Sequence, residues 1–520
     1  MDSPDQSLEN FNILDRLPLE LLNQVIYTLP NADIKSLRLT CSYLGNISLP
    51  RFNRVFISAS PRDIEVFTLI ANHDTFRFKV TEIIYDDSRF DQTWSKRFIK
   101  TNDNTADHRR ALWCFRRFYN PIVRVIDTKE EEYQSMPHVK KAFKTRCTLA
   151  ESFEIYEKLK SQQDEVLAAG RDAEALRYGL LRFPNLRRVT ISPAVHGILG
   201  RPLYPTPTIR SFPEGLIYPL HRGWPKTNMV EEHPLRSWDE SSKREWHGFC
   251  VVTKEIAQHI HKNPMFGLSE FVLESRQLWT GISYRVFDNP MSEEYRDLVT
   301  ILSHPSLRRL ELSLACGAVS WKNWPSFCSV LLFRALSKAK NLQDIHFDTG
   351  ITQAIRQWHG FLADPQKGMP LQSIFPLEKR PNLRRFALSR SFIKQRDLMA
   401  FISTLPESLE SLELSFLSFF PGEGTYRDLL QDMRCNLGWR ERLPRNQARL
   451  VVLVENELMM DGAAIDVSRA AMDYVYHHGE NPFAEDQIFI LEVLEGKGTP
   501  VDLLDPMHEE ELYHDRVAAV

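Results

Sequence analysis

Near the start of the chain, apolar residues recur at helical spacing. After Pro18 come Leu21, Leu22, Val25, Ile26 and Leu29, a stripe along one side of a helix. Proline suits the first turn, where its missing N–H is not needed and its φ is preset. Pro30 ends this run, and Asn31 and Asp33 are candidate N-caps for a second helix. In that second helix Ile34, Leu37, Cys41 and Leu44 share one face. Two short amphipathic helices with a four-residue joint cannot bury both faces within so few residues. Some of that apolar surface must meet the rest of the chain or another protein.

Further along, the period changes. Residues 54–58 (RVFIS) and 78–86 (FKVTEIIYD) have the β-rich character of strands, separated by a helix from Ser60-Pro61 to about residue 72. Trp113, Phe115, Phe118 and Tyr119 form an aromatic knot read as core. Residues 148–181 are helical with a break near Gly170.

A short phrase then recurs, as in PNLRRVTIS, PSLRRLELS and PNLRRFALS. Its anchors are Leu186/Val189/Ile191, Leu268/Phe271/Leu273, Leu307/Leu310/Leu312, Leu342/Ile345/Phe347, Leu383/Phe386/Leu388 and Leu409/Leu412/Leu414. Val80/Ile83/Tyr85 reads as an earlier copy and Leu450/Leu453 as a last one. Helix-like runs separate the copies, so the pattern resembles leucine-rich repeats. The spacing is irregular: from Leu268 the first anchors advance by 39, 35, 41 and 26 residues. A second phrase, Trp246-His-Gly-Phe249, returns as Trp324–Phe327 and Trp358–Phe361 and is read as helix packing, with His247 and His359 structural.

The first stretch also carries a family likeness. LPLELLNQVIYTLPNADIKSLRLTCSYLG resembles an F-box of the kind common in filamentous-fungal proteins. The matching features are Leu17-Pro18, Glu20-Leu21, Ile26 with Leu29, Asp33-Ile34, and Leu37-Arg38 through Thr40-Cys41 to Leu44. Leu44 stands where many F-boxes carry Trp. The resemblance implies binding to a Skp-type adaptor of cullin-based SCF ubiquitin ligases, and through it to a cullin. Leu17, Pro18, Glu20, Leu21, Val25, Ile34, Leu37 and Cys41 are the expected adaptor-binding residues. Two plainer readings compete: a helical cap on the following domain, and a helix-turn-helix for DNA. Charges that nearly cancel between residues 13 and 51 argue against the second.

The fold expected from these patterns is α/β, an N-terminal helical F-box followed by an irregular leucine-rich-repeat-like solenoid. Its divisions are the F-box at 12–58 and first repeat-like units with a helical insertion at 60–192. An insertion loop with eight prolines follows at 193–245, then a target-binding repeat domain at 246–456. Residues 457–501 are a helix and strand cap, and 502–520 an acidic tail expected to be disordered.

Composition narrows the class. The 520 residues are 43% apolar and 26% charged with a net charge of −3, so no strong field favours nucleic acid or an anionic membrane. Seven cysteines stand singly without a CxxC pair, and no run approaches about 18 apolar residues. An intracellular protein, cytoplasmic or nuclear, is expected. There is no GxxxxGKS, HExxH or GxSxG. His259/His261 and His477/His478 lack a third ligand at metal spacing. No cofactor and no catalysis are expected, and an empty catalytic inventory is what the resemblance implies. The function expected is a substrate-recognition subunit of an SCF-type ligase. Its rival is a non-catalytic adaptor-binding scaffold without ubiquitination targets.

If the repeats stack as parallel strands, equivalent positions form rows. One row, Arg188, Glu270, Arg309, Asp344, Arg385, Ser411, alternates in sign and is read as a ladder of ion pairs. The next two rows hold Glu311, Glu413, Glu274 and Asp348, with His346 and no Lys or Arg. These five residues are the expected target-binding face, acidic and suited to a basic or polar segment.

Overall fold

The computed structural model describes residues 17–90, 111–113, 115–116, 119–120, 123, 145–197, 202–219, 223–225, 237–275, 280–315, 330–350, 371–376, 382–420, 422–455, 464–483 and 493–494. The chain divides into two compact units, Met1–Asn53 and Arg54–Val520.

In the first unit three helices run in order, α1 (Leu19–Thr28), α2 (Asn31–Arg38) and α3 (Ser42–Ile47). Leu22, Ile26, Ile34 and Leu44 are its buried centre, with Leu17, Leu29, Leu37 and Ile47 packed around them. The expected second helix is therefore two. Thr40 Oγ1 donates to the Leu37 carbonyl at 2.7 Å, and Cys41 is extended at φ −157°, which turns the chain before α3.

The second unit is built on parallel strands: β1 (Arg54–Ser58), β2 (Glu82–Asp86), β3 (Arg188–Ser192), β4 (Glu270–Leu273), β5 (Arg309–Ala315), β6 (Asp344–Asp348), β7 (Arg385–Ser389), β8 (Ser411–Ser415) and β9 (Arg449–Val451). They pair in chain order, and Ile282–Ser283 adds to β5 to make a 10-stranded sheet. The anchors of the repeated phrase align across the sheet: Val189 faces Phe271, then Leu310, Ile345, Phe386, Leu412 and Leu450 in turn. Each of these seven is 1% exposed or less.

Helices follow the strands, and the Phe401 ring of one lies 5.0 Å from that of the anchor Phe386. They are α4 (Pro61–Asn72), α5 (Leu149–Ala169), α6 (Arg171–Arg182), α7 (His247–Lys262), α8 (Glu293–Leu302), α9 (Val330–Lys338), α10 (Gln395–Ile402), α11 (Tyr426–Asn436) and α12 (Ser468–Tyr476). Local chemistry sets their limits. Thr148 and Glu151 form a reciprocal cap at the start of α5, and Gly170, at φ 64°, separates α5 from α6. Leucines such as Leu298, Leu332, Leu398 and Leu429 are buried on these helices, each contributing about 1.5–3 kcal/mol.

This architecture corrects the expected fold. It is an α/β fold with one large parallel sheet of 10 strands and its helices; an F-box followed by a leucine-rich-repeat-like solenoid is not what the structure shows. The repeated phrase places anchors on one face in register, but crossovers of such unequal length carry no regular repeat. Nor does the opposite face stay open, as the solenoid reading required. Thr190 and Ser192 on β3 and Ser313 on β5 are fully buried there. Part of that cover is the proline-rich insertion, expected as a long loop either wrapped on the surface or mobile. Val195 and Tyr204 pack on Ile84, and the Thr208 N–H donates to Asp63 at 2.8 Å. Parallel sheets are usually covered on both faces.

Phe115 and Tyr119 join a core cluster with Phe153 and Tyr156, while Trp113 is exposed. Phe118, His359, the phrases at 324–327 and 358–361, and the tail from 502 lie outside the described residues.

Candidate functional site

The apolar stripe of α1 splits in two. Leu22 and Ile26 turn inward, whereas Leu21 (47%) and Val25 (42%), four residues apart, face outward. Pro18 and Glu20 are exposed beside them. Leu19, Tyr27, Leu39 and Tyr43 add further exposed apolar surface on the same small unit. Of the expected adaptor-binding residues, Leu17 and Leu37 are half-buried and Cys41 is exposed at the start of α3. Ile34 is different: it is 1% exposed and belongs to the unit's centre, so its role is to hold α2 in place.

On the sheet, the first residues of the strands form the alternating row, and it extends to both sides of the expected one. Glu82 bridges Arg54 at 2.7 Å and Arg188 at 3.2 Å. Glu270 bridges Arg188 at 3.5 Å and Arg309 at 3.7 Å. Asp344 bridges Arg309 at 3.6 Å and Arg385 at 3.8 Å. Burial pushes the Asp344 carboxyl up, against the pull of Arg309 and Arg385.

The two rows expected to meet a target are not an open acidic face. Glu311 (2%), His346 (4%) and Asp348 (2%) are buried. Glu311 lies 3.4 Å from Arg309, His346 Nε2 is 3.2 Å from the Ser389 hydroxyl, and Asp348 accepts from Arg390 at 2.8 Å. Arg390 is itself buried, at φ 43°, with its guanidinium 4.8 Å from the Phe416 ring centre. Glu274 is half-buried and accepts the Tyr204 hydroxyl at 2.6 Å; Glu413 is half-buried on β8. Carboxylates without basic neighbours in their own rows thus find partners from loops and from the first row. Sequence spacing could not show those partners.

A second polar group, missed in the sequence, sits at the end of β2. Tyr85 donates to Asp172 at 2.5 Å, and His247 Nε2 is 2.7 Å from the same oxygen. Asp87 accepts from Trp224 Nε1 at 2.7 Å and from the Gly248 N–H at 2.9 Å, and pairs with Arg89. Burial raises the Asp87 carboxyl despite Arg89 and His247. Burial also works to raise Asp172, but hydrogen bonding and charge from His247, with the Tyr85 hydrogen bond, bring it below the usual range. A Cβ on Gly248 would come within 2.6 Å of both Asp87 and Tyr85. The group ties the end of β2 to the first turns of α6 and α7, a structural role that fits the reading of His247. Its members are spread from residue 85 to residue 248, with no motif to join them.

Among the described residues no three His, Cys, Asp or Glu side chains are placed to hold a metal ion. Burial raises the Cys250 thiol, which makes it a poor nucleophile. No helix among the described residues is long and apolar enough to cross a membrane. No protein-family model matches the chain, and no curated protein matches it at a significant level.

Proposed function

We propose that this chain is the substrate-recognition subunit of an SCF-type ubiquitin ligase. Its N-terminal helices dock on a Skp-type adaptor, which joins it to a cullin, while the sheet unit captures the target protein. The observation that carries the proposal is the split stripe of α1. A unit with a four-residue buried centre exposes Leu21 and Val25, and they lie within the run that resembles an F-box. Exposed apolar side chains grouped on one small surface mark an interaction site. The receptor acts by proximity, raising the effective concentration of target lysines near the charged conjugating enzyme. This reading implies a cytoplasmic or nuclear location. Affinity purification with and without residues 1–53, combined with proteasome blockade, tests it. The full chain should bring down the adaptor and at least one protein that accumulates under blockade. An adaptor-bound chain with no such protein would instead indicate a scaffold.

A further inference from the structure

The ion-pair row has a gap. Three times across the sheet an acid stands between two arginines: Glu82 between Arg54 and Arg188, Glu270 between Arg188 and Arg309, Asp344 between Arg309 and Arg385. At the next place the flanking cations are Arg385 and Arg449, but the residue between them is Ser411. Strands lie about 4.8 Å apart, so the two arginines start about 10 Å from each other, each one strand from the serine. Among the described residues Arg385 pairs only with Asp344, at 3.8 Å and shared with Arg309, and Arg449 has no ion-pair partner.

The row also opens to solvent at this end. Side-chain exposure is 26% at Arg188 and 29% at Arg309 but 62% at Arg385, and Arg449 is exposed. Among the described residues, the acids nearest in sequence at β8 lie elsewhere. Glu410 is engaged by Arg384 at 3.1 Å, and Glu413 lies one row further along β8, beside Ala387 and Val451. Two arginines thus flank a serine where each earlier triplet carries a carboxylate.

We propose that Arg385, Ser411 and Arg449 accept an anionic side chain, carboxylate or phosphoryl, presented by the bound target protein. The incoming oxyanion completes the fourth triplet, with each arginine donating charge-assisted hydrogen bonds and Ser411 donating its hydroxyl. This rests on the reading that the sheet unit holds a target, and it reverses the expected sign of the captured segment.

Calorimetric titration of the full chain with N-acetyl-O-phosphoserine amide and with N-acetylglutamate amide tests it. At least one probe should bind saturably below about 10 mM, weakening with salt, and the better one identifies the group. Arg449→Ala should lower that affinity about tenfold. Ser411→Glu, which fills the gap from within, should abolish binding and raise the melting temperature. If Ser411→Glu does not fold, Arg449→Ala and Arg385→Ala decide the matter. Absence of saturable binding, or unchanged affinity in these variants, would overturn the acceptor. Adaptor co-purification is scored on the same protein: a chain that binds adaptor but no probe refutes only the acceptor, and one that binds no adaptor refutes the ligase reading.

Discussion

Asn31 and Arg51 exchange two hydrogen bonds: the Asn31 amide donates to the Arg51 carbonyl at 2.8 Å, and the Arg51 N–H donates to Asn31 Oδ1 at 2.8 Å. The Arg51 guanidinium donates in addition to the carbonyls of Tyr27 and Leu29, which the end of α1 leaves without helical partners. Asn31 was expected as an N-cap; its side chain instead closes the three helices into a ring. The exposed stripe of α1 is therefore held on a unit locked by polar contacts as well as by its small apolar centre.

Asn31→Ala removes both bonds and leaves a backbone donor and acceptor to find water. The expected cost is about 1–3 kcal/mol, confined to this unit. Hydrogen exchange should accelerate across α1, α2 and α3 and stay unchanged in β6, β7 and β8.

Arg390→Ala leaves Asp348 buried without its cation, at an expected cost of about 3–5 kcal/mol in denaturant unfolding. Removing both partners, Arg390→Ala with Asp348→Ala, should cost less than the sum of the single changes. Additive losses would mean that the pair does not interact in the folded state.

The two carboxylates at the end of β2 respond to pH in opposite senses. Asp172 titrates below its ordinary range in the folded chain, so its contribution is present above that range and is lost as pH falls through the lowered value. Asp87 titrates above its range, so it favours the folded state at low pH and loses that contribution as pH rises through the raised value. Asp172→Asn should therefore destabilise at pH 7 and approach the parent chain below about pH 4. Asp87→Asn should show the smaller loss at pH 7. Melting temperatures across that range check both signs.

Much of the sheet was legible in the sequence because its anchors repeat a local phrase. Residues 54–58 were read as a strand and are β1, the break at Gly170 is where α5 ends, and the row from Arg188 to Ser411 has the expected register. What periodicity could not supply was the cover on the other face. Tyr204 reaches Glu274 across 70 residues and Arg390 reaches Asp348 across 42, so rows that looked open are closed by distant chain. Similarly, Ile34 and Leu21 share one motif, and only packing shows that the first is core and the second is surface.

The central claim is that α1 presents an adaptor-binding face, and a direct titration tests it. Purified full chain is titrated with a recombinant Skp-type adaptor, alongside Leu21→Ala/Val25→Ala and the exposed polar control Gln24→Ala. Saturable one-to-one binding is expected, weakened at least about tenfold by the double variant and unaffected by the control. No binding by the parent chain, or full-strength binding by the double variant, would contradict the account.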